Sequence, residues 1–184
     1  MTLSLSPATA LVVVDLQSAT LASPFAHPAD EVVAAAATLA GAVHERGGTV
    51  AYAVSTGTPP GRNAYGSPAR VFPEAGRSLA PALEVRDADL RIERARLSAF
   101  SGTGLADLLR ERGVATVVVA GVATSFGVES TVRHAYDLGF DVVVPSDAVT
   151  DLRTETHDHA LAAVFPAIAR VATSDEIVEA LARG

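Results

Sequence analysis

Asp15 closes the run Ala10-Leu11-Val12-Val13-Val14. A carboxylate placed after five apolar residues is costly to bury unless something pairs with it. A carboxyl group in such a place can give or take a proton. The run alone, however, fits an ordinary turn or helix-capping aspartate better. Arg94 opens a second block, Arg94-Ala95-Arg96-Leu97-Ser98-Ala99-Phe100. A guanidinium can bind an anion or hold a carboxylate, but it stays protonated and cannot shuttle protons. The third stretch is Val117-Val118-Val119-Ala120-Gly121-Val122-Ala123-Thr124-Ser125-Phe126-Gly127. There a β-branched run breaks at glycine and a helix begins a few residues later. Amides that open a helix, including that of Gly127, can hold an anionic group without any side chain.

The absent chemistry is as informative. The chain has no cysteine, so it can form no thioester, disulfide or thiolate metal site. There is no Gly-x-Ser-x-Gly elbow. Ser125 needs a base, and His134 sits about two turns further along the same helix, too far to reach back. His157 and His159 lie two apart, so on a helix they face different ways. No metal or other cofactor is expected. All 14 basic residues are arginine, as a GC-rich coding sequence produces. At any one position the charge therefore says more than the residue type.

These residues need elements to position them, and strand and helix patterns alternate along the whole chain. Ala10 to Asp15, Thr49 to Ser55, Leu90 to Glu93, Ala115 to Ala120, Asp141 to Val144 and Arg170 to Ala172 read as strands. Helices are expected over Pro28 to Arg46, Gly104 to Arg112, Phe126 to Leu138 with Gly139 as C-cap, Thr154 to Ala163, and Asp175 to Ala182. Residues 56–88, rich in Pro, Gly, Ser and Asn, read as a long loop, of the sort that covers substrates. The alternation predicts one α/β domain over 1–184, with helices on both faces of a six-stranded parallel sheet. With strand order 3-2-1-4-5-6, the strand order reverses between the first and fourth strands, where ligands bind in such sheets. Asp15 and the Gly121–Gly127 turn then face each other across that crevice.

Composition limits the rest. With 49% hydrophobic and 19% charged residues in 184, the chain reads as globular, with no apolar run of the roughly 20 residues that span a bilayer. A net charge of −7 argues against nucleic acid. The first ten residues lack a charged n-region, so a cytoplasmic protein is expected. The expected partners are a small-molecule substrate and further copies of the chain, in a homodimer or higher homo-oligomer.

Taken together, the motifs resemble the isochorismatase-like (cysteine hydrolase) superfamily, over essentially the entire chain and in the family's order. Most members read Gly-Val-x-Thr-x-x-Cys-Val after the fourth strand and use the cysteine as nucleophile. Gly127 stands at that position here, as glycine does in true isochorismatases. The resemblance implies a Rossmann-like three-layer α/β/α fold. Asp15-Leu16-Gln17 matches the family's Asp-x-Gln motif, whose aspartate is the acid/base, and Arg94 stands at the catalytic lysine. Val122-Ala123 falls where the family has a non-proline cis peptide; an ordinary turn with trans peptides is the plainer alternative. The metal-binding Asp-x-His of the nicotinamidase branch has no counterpart in Ser55-Thr56-Gly57-Thr58-Pro59-Pro60-Gly61-Arg62-Asn63. Gln17, Arg62, Tyr65, Phe100, Val122, Ala123 and Phe126 are the expected pocket residues.

The expectation is a cysteine-independent hydrolase, with Asp15, Arg94 and Gly127 at its centre, acting on a small carboxylated enol-ether metabolite of secondary metabolism. Two alternatives remain open at this point: a non-hydrolytic biosynthetic enzyme using Asp15 as an ionised base, and an inactive metabolite-binding homologue.

Overall fold

Runs that are apolar at every position need cover on both sides, and in the computed structural model they have it. The structure describes residues 3–6, 8–64, 66 and 69–184. Its strands are β1 (Thr9–Val14), β2 (Thr49–Ser55), β3 (Leu90–Arg94), β4 (Thr116–Val122), β5 (Asp141–Pro145), β6 (Val149–Thr150) and β7 (Arg170–Ala172). They form a parallel sheet along the path β3-β2-β1-β4-β5-β7. This is the expected order, with β7 as the sixth strand along the path.

The short strand β6 was not foreseen. β5 pairs with β4 only over Thr116 to Val118, and β6 pairs with Gly121 and Val122 instead. β5 ends at Pro145, which has no N–H to continue a ladder. The chain turns at Ser146 and Asp147 and returns two residues to the end of β4.

Side-chain alternation along β1 feeds two cores. Leu11 and Val13 join α2 (Ala29–Glu45) and α6 (Ser174–Arg183) on one face, while Ala10, Val12 and Val14 join α3 (Leu105–Glu111) and α4 (Glu129–Asp137) on the other. All six β1 residues are buried, as expected of a central parallel strand. The fold is a single three-layer α/β domain. No helix among the described residues is long and apolar enough to cross a membrane.

Helix boundaries depart from the sequence reading in three places. A short helix, α1 (Ser18–Leu21), follows Asp15 and was not foreseen. The helix expected from Phe126 starts earlier, as a π-helical turn over Thr124–Val128 that runs into α4. The helix expected to end at Ala163 is α5 (Thr154–His159), continued by a π turn over Ala160–Val164 and a 3-10 turn over Phe165–Ala167. Pro166 sits in the first turn of that last piece, where its missing N–H is harmless. The loop 56–88 is mostly irregular, as expected. It contains a 3-10 turn over Glu74–Arg77 and isolated bridges Gly57–Val71 and Gln17–Leu79.

Candidate functional site

Asp15 leaves β1 in the left-handed conformation, with φ 55°, and is alone among non-glycine described residues in doing so. Such a backbone costs of order 1–3 kcal/mol and tends to mark functional sites. Its N–H still donates to Ala53 O at 2.9 Å, the last regular bond of the β1–β2 ladder. Its carbonyl then accepts from the Gln17 N–H (2.8 Å) and the Thr20 hydroxyl. The kink turns the side chain out of the strand and into the crevice.

Arg94, the last residue of β3, reaches across to it. Its Nη2 donates to Asp15 Oδ2 at 2.9 Å, and Nη1 donates to Arg96 O. Both side chains are nearly sealed, 3% exposed for Arg94 and 12% for Asp15. Asp15 Oδ1 and Arg94 Nε are buried with no hydrogen-bond partner. Two opposed effects act on the carboxyl. Burial disfavours its charged form, and the Arg94 guanidinium favours it. Burial wins, and the Asp15 pKa lies above the ordinary 3.8. The close Arg94 only moderates the rise.

β4 supplies the opposite wall. Gly121 (φ 120°) lies so close to β1 that a Cβ there would stand 2.0 Å from Val14 O, so no other residue fits. The Val122–Ala123 bond is cis. A Cβ built on Gly127 would lie 3.2 Å from Asp15 Oδ2, 3.2 Å from Val122 O and 3.0 Å from Val14 Cγ1. The structure thus brings Asp15, Arg94 and Gly127 together, with a carboxylate oxygen over the position that carries no side chain. Among the turn's amides, Phe126 and Val128 donate to Ala123 O, and Ser125 donates to Asp151 Oδ2 at 2.6 Å.

The remaining expected residues divide. Val122 is buried, Ala123 partly so, and Phe126 is 53% exposed beside the crevice turn. Arg62 is exposed on the loop after β2, and Tyr65 lies outside the described residues. Gln17 is wholly buried, and its amide is committed to the backbone of Ser55 and Gly76. Phe100 is a core residue, stacked on Phe140 (5.9 Å between centroids) beneath α4; its ring packs instead of lining the crevice. His134 bonds Ser98 (3.1 Å) and Ser101 (3.5 Å), not Ser125.

Asp151 escaped the sequence reading. It follows β6 as Asp15 follows β1, and its carboxylate binds the N–H groups of Ser125 and Leu152. The signal was available: Ala148-Val149-Thr150-Asp151 repeats the strand-then-carboxylate pattern. His157, buried, bonds Thr124 Oγ1 at 3.0 Å. Burial and the neighbouring His27 ring lower its pKa, so it stays neutral and supports the turn. No group of three His, Asp or Glu among the described residues is placed to hold a metal ion.

Comparison with known proteins places this geometry. The Isochorismatase domain family matches residues 9–176. The chain belongs to the isochorismatase family. An uncharacterized isochorismatase family protein, YecD of Escherichia coli O157:H7, is 40% identical over 185 residues, 94% of this chain and 96% of the relative. The solved structure of an isochorismatase family protein from Burkholderia thailandensis superposes with a TM-score of 0.90 at 36% identity, covering 97% of this chain and 98% of that one. A ureidoacrylate amidohydrolase of Methylorubrum extorquens is 38% identical over 71 residues, 39% of this chain and 29% of the relative. Isochorismatase-family proteins of this kind are hydrolases of small molecules.

Proposed function

We propose that this isochorismatase-family chain is a cysteine-independent hydrolase in which protonated Asp15 is the general acid, acting on a small carboxylated enol ether. The observation that carries this reading is the buried Asp15 carboxyl above Gly127, its pKa raised although Arg94 stands 2.9 Å away. A carboxylic acid works near neutral pH only if something holds its proton, and burial does so here. Oδ1 is sealed in the wall, so Oδ2, facing Gly127, is the oxygen on the crevice side.

The chemistry then needs no nucleophilic side chain. The Asp15 proton adds to the terminal carbon of the enol ether, whose π electrons form the new C–H bond. The ether oxygen shares the positive charge in an oxocarbenium ion. Water adds to the oxygen-bearing cationic carbon, not the newly protonated one, and returns a proton to the Asp15 carboxylate. The hemiketal formed collapses, releasing an alcohol and leaving a ketone. A substrate carboxylate drawn to Arg94 would divide the guanidinium between two anions and push the Asp15 pKa further up.

Turnover in D2O tests this directly. The expected product carries one deuterium on the carbon that was protonated, and product without it removes Asp15-driven carbon protonation. One observation favours a second reading: the 2.9 Å ion pair also suits an ionised Asp15 acting as base. The pH–rate profile separates them. The acid loses rate as pH rises through the Asp15 pKa, and the base gains it. Activity should also withstand EDTA, because the donor set for a metal is missing among the described residues. Inactivation by EDTA that zinc or manganese reverses would overturn that part.

A further inference from the structure

Parallel ladders space their hydrogen bonds evenly. Along β1 and β2 the next bond after Asp15 N–H to Ala53 O is Ser55 N–H to Asp15 O. That bond is missing, because Asp15 O already accepts from Gln17 N–H and Thr20 Oγ1. The Ser55 amide is left beside the Asp15 carboxyl, close enough to pull its pKa down. That influence is the weakest of those acting on the carboxyl, and the amide's short hydrogen bond is not made there, since Asp15 Oδ1 has no partner. The amide donates to the side-chain oxygen of Gln17, Oε1, at 2.6 Å. Gln17 Nε2 donates in turn to Ser55 O at 2.9 Å and to Gly76 O at 3.1 Å. The side-chain amide of Gln17 therefore stands in for a peptide of β1 where the strand has kinked away, and it closes round Ser55 from both sides. Asp15 Oδ1, with no partner of its own, is what this arrangement leaves over.

We propose that Gln17 is a positioning residue that withholds the Ser55 amide proton from the Asp15 carboxyl. A carboxylate that gains a backbone donor becomes a stronger acid. By taking that donor, Gln17 keeps Asp15 protonated to higher pH, beyond what burial alone achieves. The inference rests on the reading of Asp15 as the acid, but its test needs no substrate.

Asp15 is titrated by carbon NMR in protein labelled at the aspartate carboxyl carbon, its signal assigned by loss in Asp15→Asn. In Gln17→Met the freed Ser55 amide turns to Asp15, and the midpoint should fall by about one unit, tenfold in proton affinity. In Gln17→Glu the acceptor for Ser55 remains while both donated bonds are lost, so the midpoint should stay or rise. A folded Gln17→Met with the wild-type midpoint or a higher one would show Gln17 to be scaffolding alone. So would a fall in Gln17→Glu.

A second measurement uses the unmodified protein and is immune to misfolding of a variant. The Ser55 amide proton should move downfield only slightly as Asp15 ionises, because its short hydrogen bond goes to Gln17. A downfield shift as large as that of an amide bonded directly to a titrating carboxylate would overturn the proposal. A wild-type Asp15 that titrates near 3.8 would instead sink the acid mechanism, whatever the two variants do.

Discussion

Asp15→Asn is expected to abolish turnover and, at neutral pH, to raise the melting temperature. General acid–base groups contribute roughly 10²–10⁴-fold, so a variant that keeps more than about a tenth of the activity would remove Asp15 as the acid. The stability effect has a definite sign. The folded-state pKa of Asp15 lies above its unfolded value, so the folded protein binds this proton more tightly than the unfolded chain. The stability this adds is fully present below the unfolded pKa and is lost as pH rises through the folded one. Near pH 7 the buried carboxyl group is therefore a burden, which asparagine relieves while still offering an oxygen to Arg94 Nη2. Near the unfolded value of 3.8 both side chains are neutral and the advantage should close. Calorimetry across that interval checks it; a variant less stable than wild type at neutral pH would mean that the Arg94 pair outweighs burial.

Gly127→Cys is the second large effect, and the geometry changes what it should do. A cysteine opening a helix gains from the amide dipoles, which alone predicts a reactive thiol. Its Cβ, however, would press on Asp15 Oδ2, Val122 O and Val14 Cγ1 at 3.0–3.2 Å. Overpacking of this sort costs about 1–3 kcal/mol. Val14 and Val122 are fixed in the sheet, so Asp15 must give way, and Arg94 holds it. Arg94→Lys replaces a planar guanidinium, anchored on Arg96 O and bonded once to Asp15 Oδ2, by a single flexible ammonium. The double variant should therefore be more stable than the sum of the single changes by more than about 0.5 kcal/mol. Its cysteine should react with iodoacetamide faster than a free thiol, and faster than in the single variant, because lysine can exchange a proton. Additive stabilities would show that Arg94 does not clamp Asp15. Labelling no faster than a model thiol, in folded protein, would mean that the crevice has lost its electrostatic design, and would favour a metabolite-binding role without catalysis.

The sheet was legible because Val12-Val13-Val14 and Val117-Val118-Val119 are apolar on both alternations, and only a strand covered on both faces explains that. The convergence of Asp15 with the Gly121–Gly127 turn followed from strand order. Two kinds of feature escaped. Gln17 and Phe100 were read as pocket residues, since a motif fixes position along the chain and not the direction of a side chain. Gln17 turns back because the kink at Asp15 strands the backbone of Ser55, and Phe100 turns inward to Phe140. Strand β6, only two residues long, and the π turns at Thr124 and Ala160 depend on tertiary pairing that no local periodicity carries.

Gly121 decides how this protein could be remade for other substrates. With β1 and β4 in backbone contact at that point, and nothing larger than hydrogen tolerated between them, the floor of the crevice has one width. Directed evolution of new specificity has nothing to select there. Its useful variation must come from exposed positions instead, such as Arg62 and Val71 after β2 and Phe126 in the turn after β4. Libraries confined to those positions should keep the fold while changing which molecules enter.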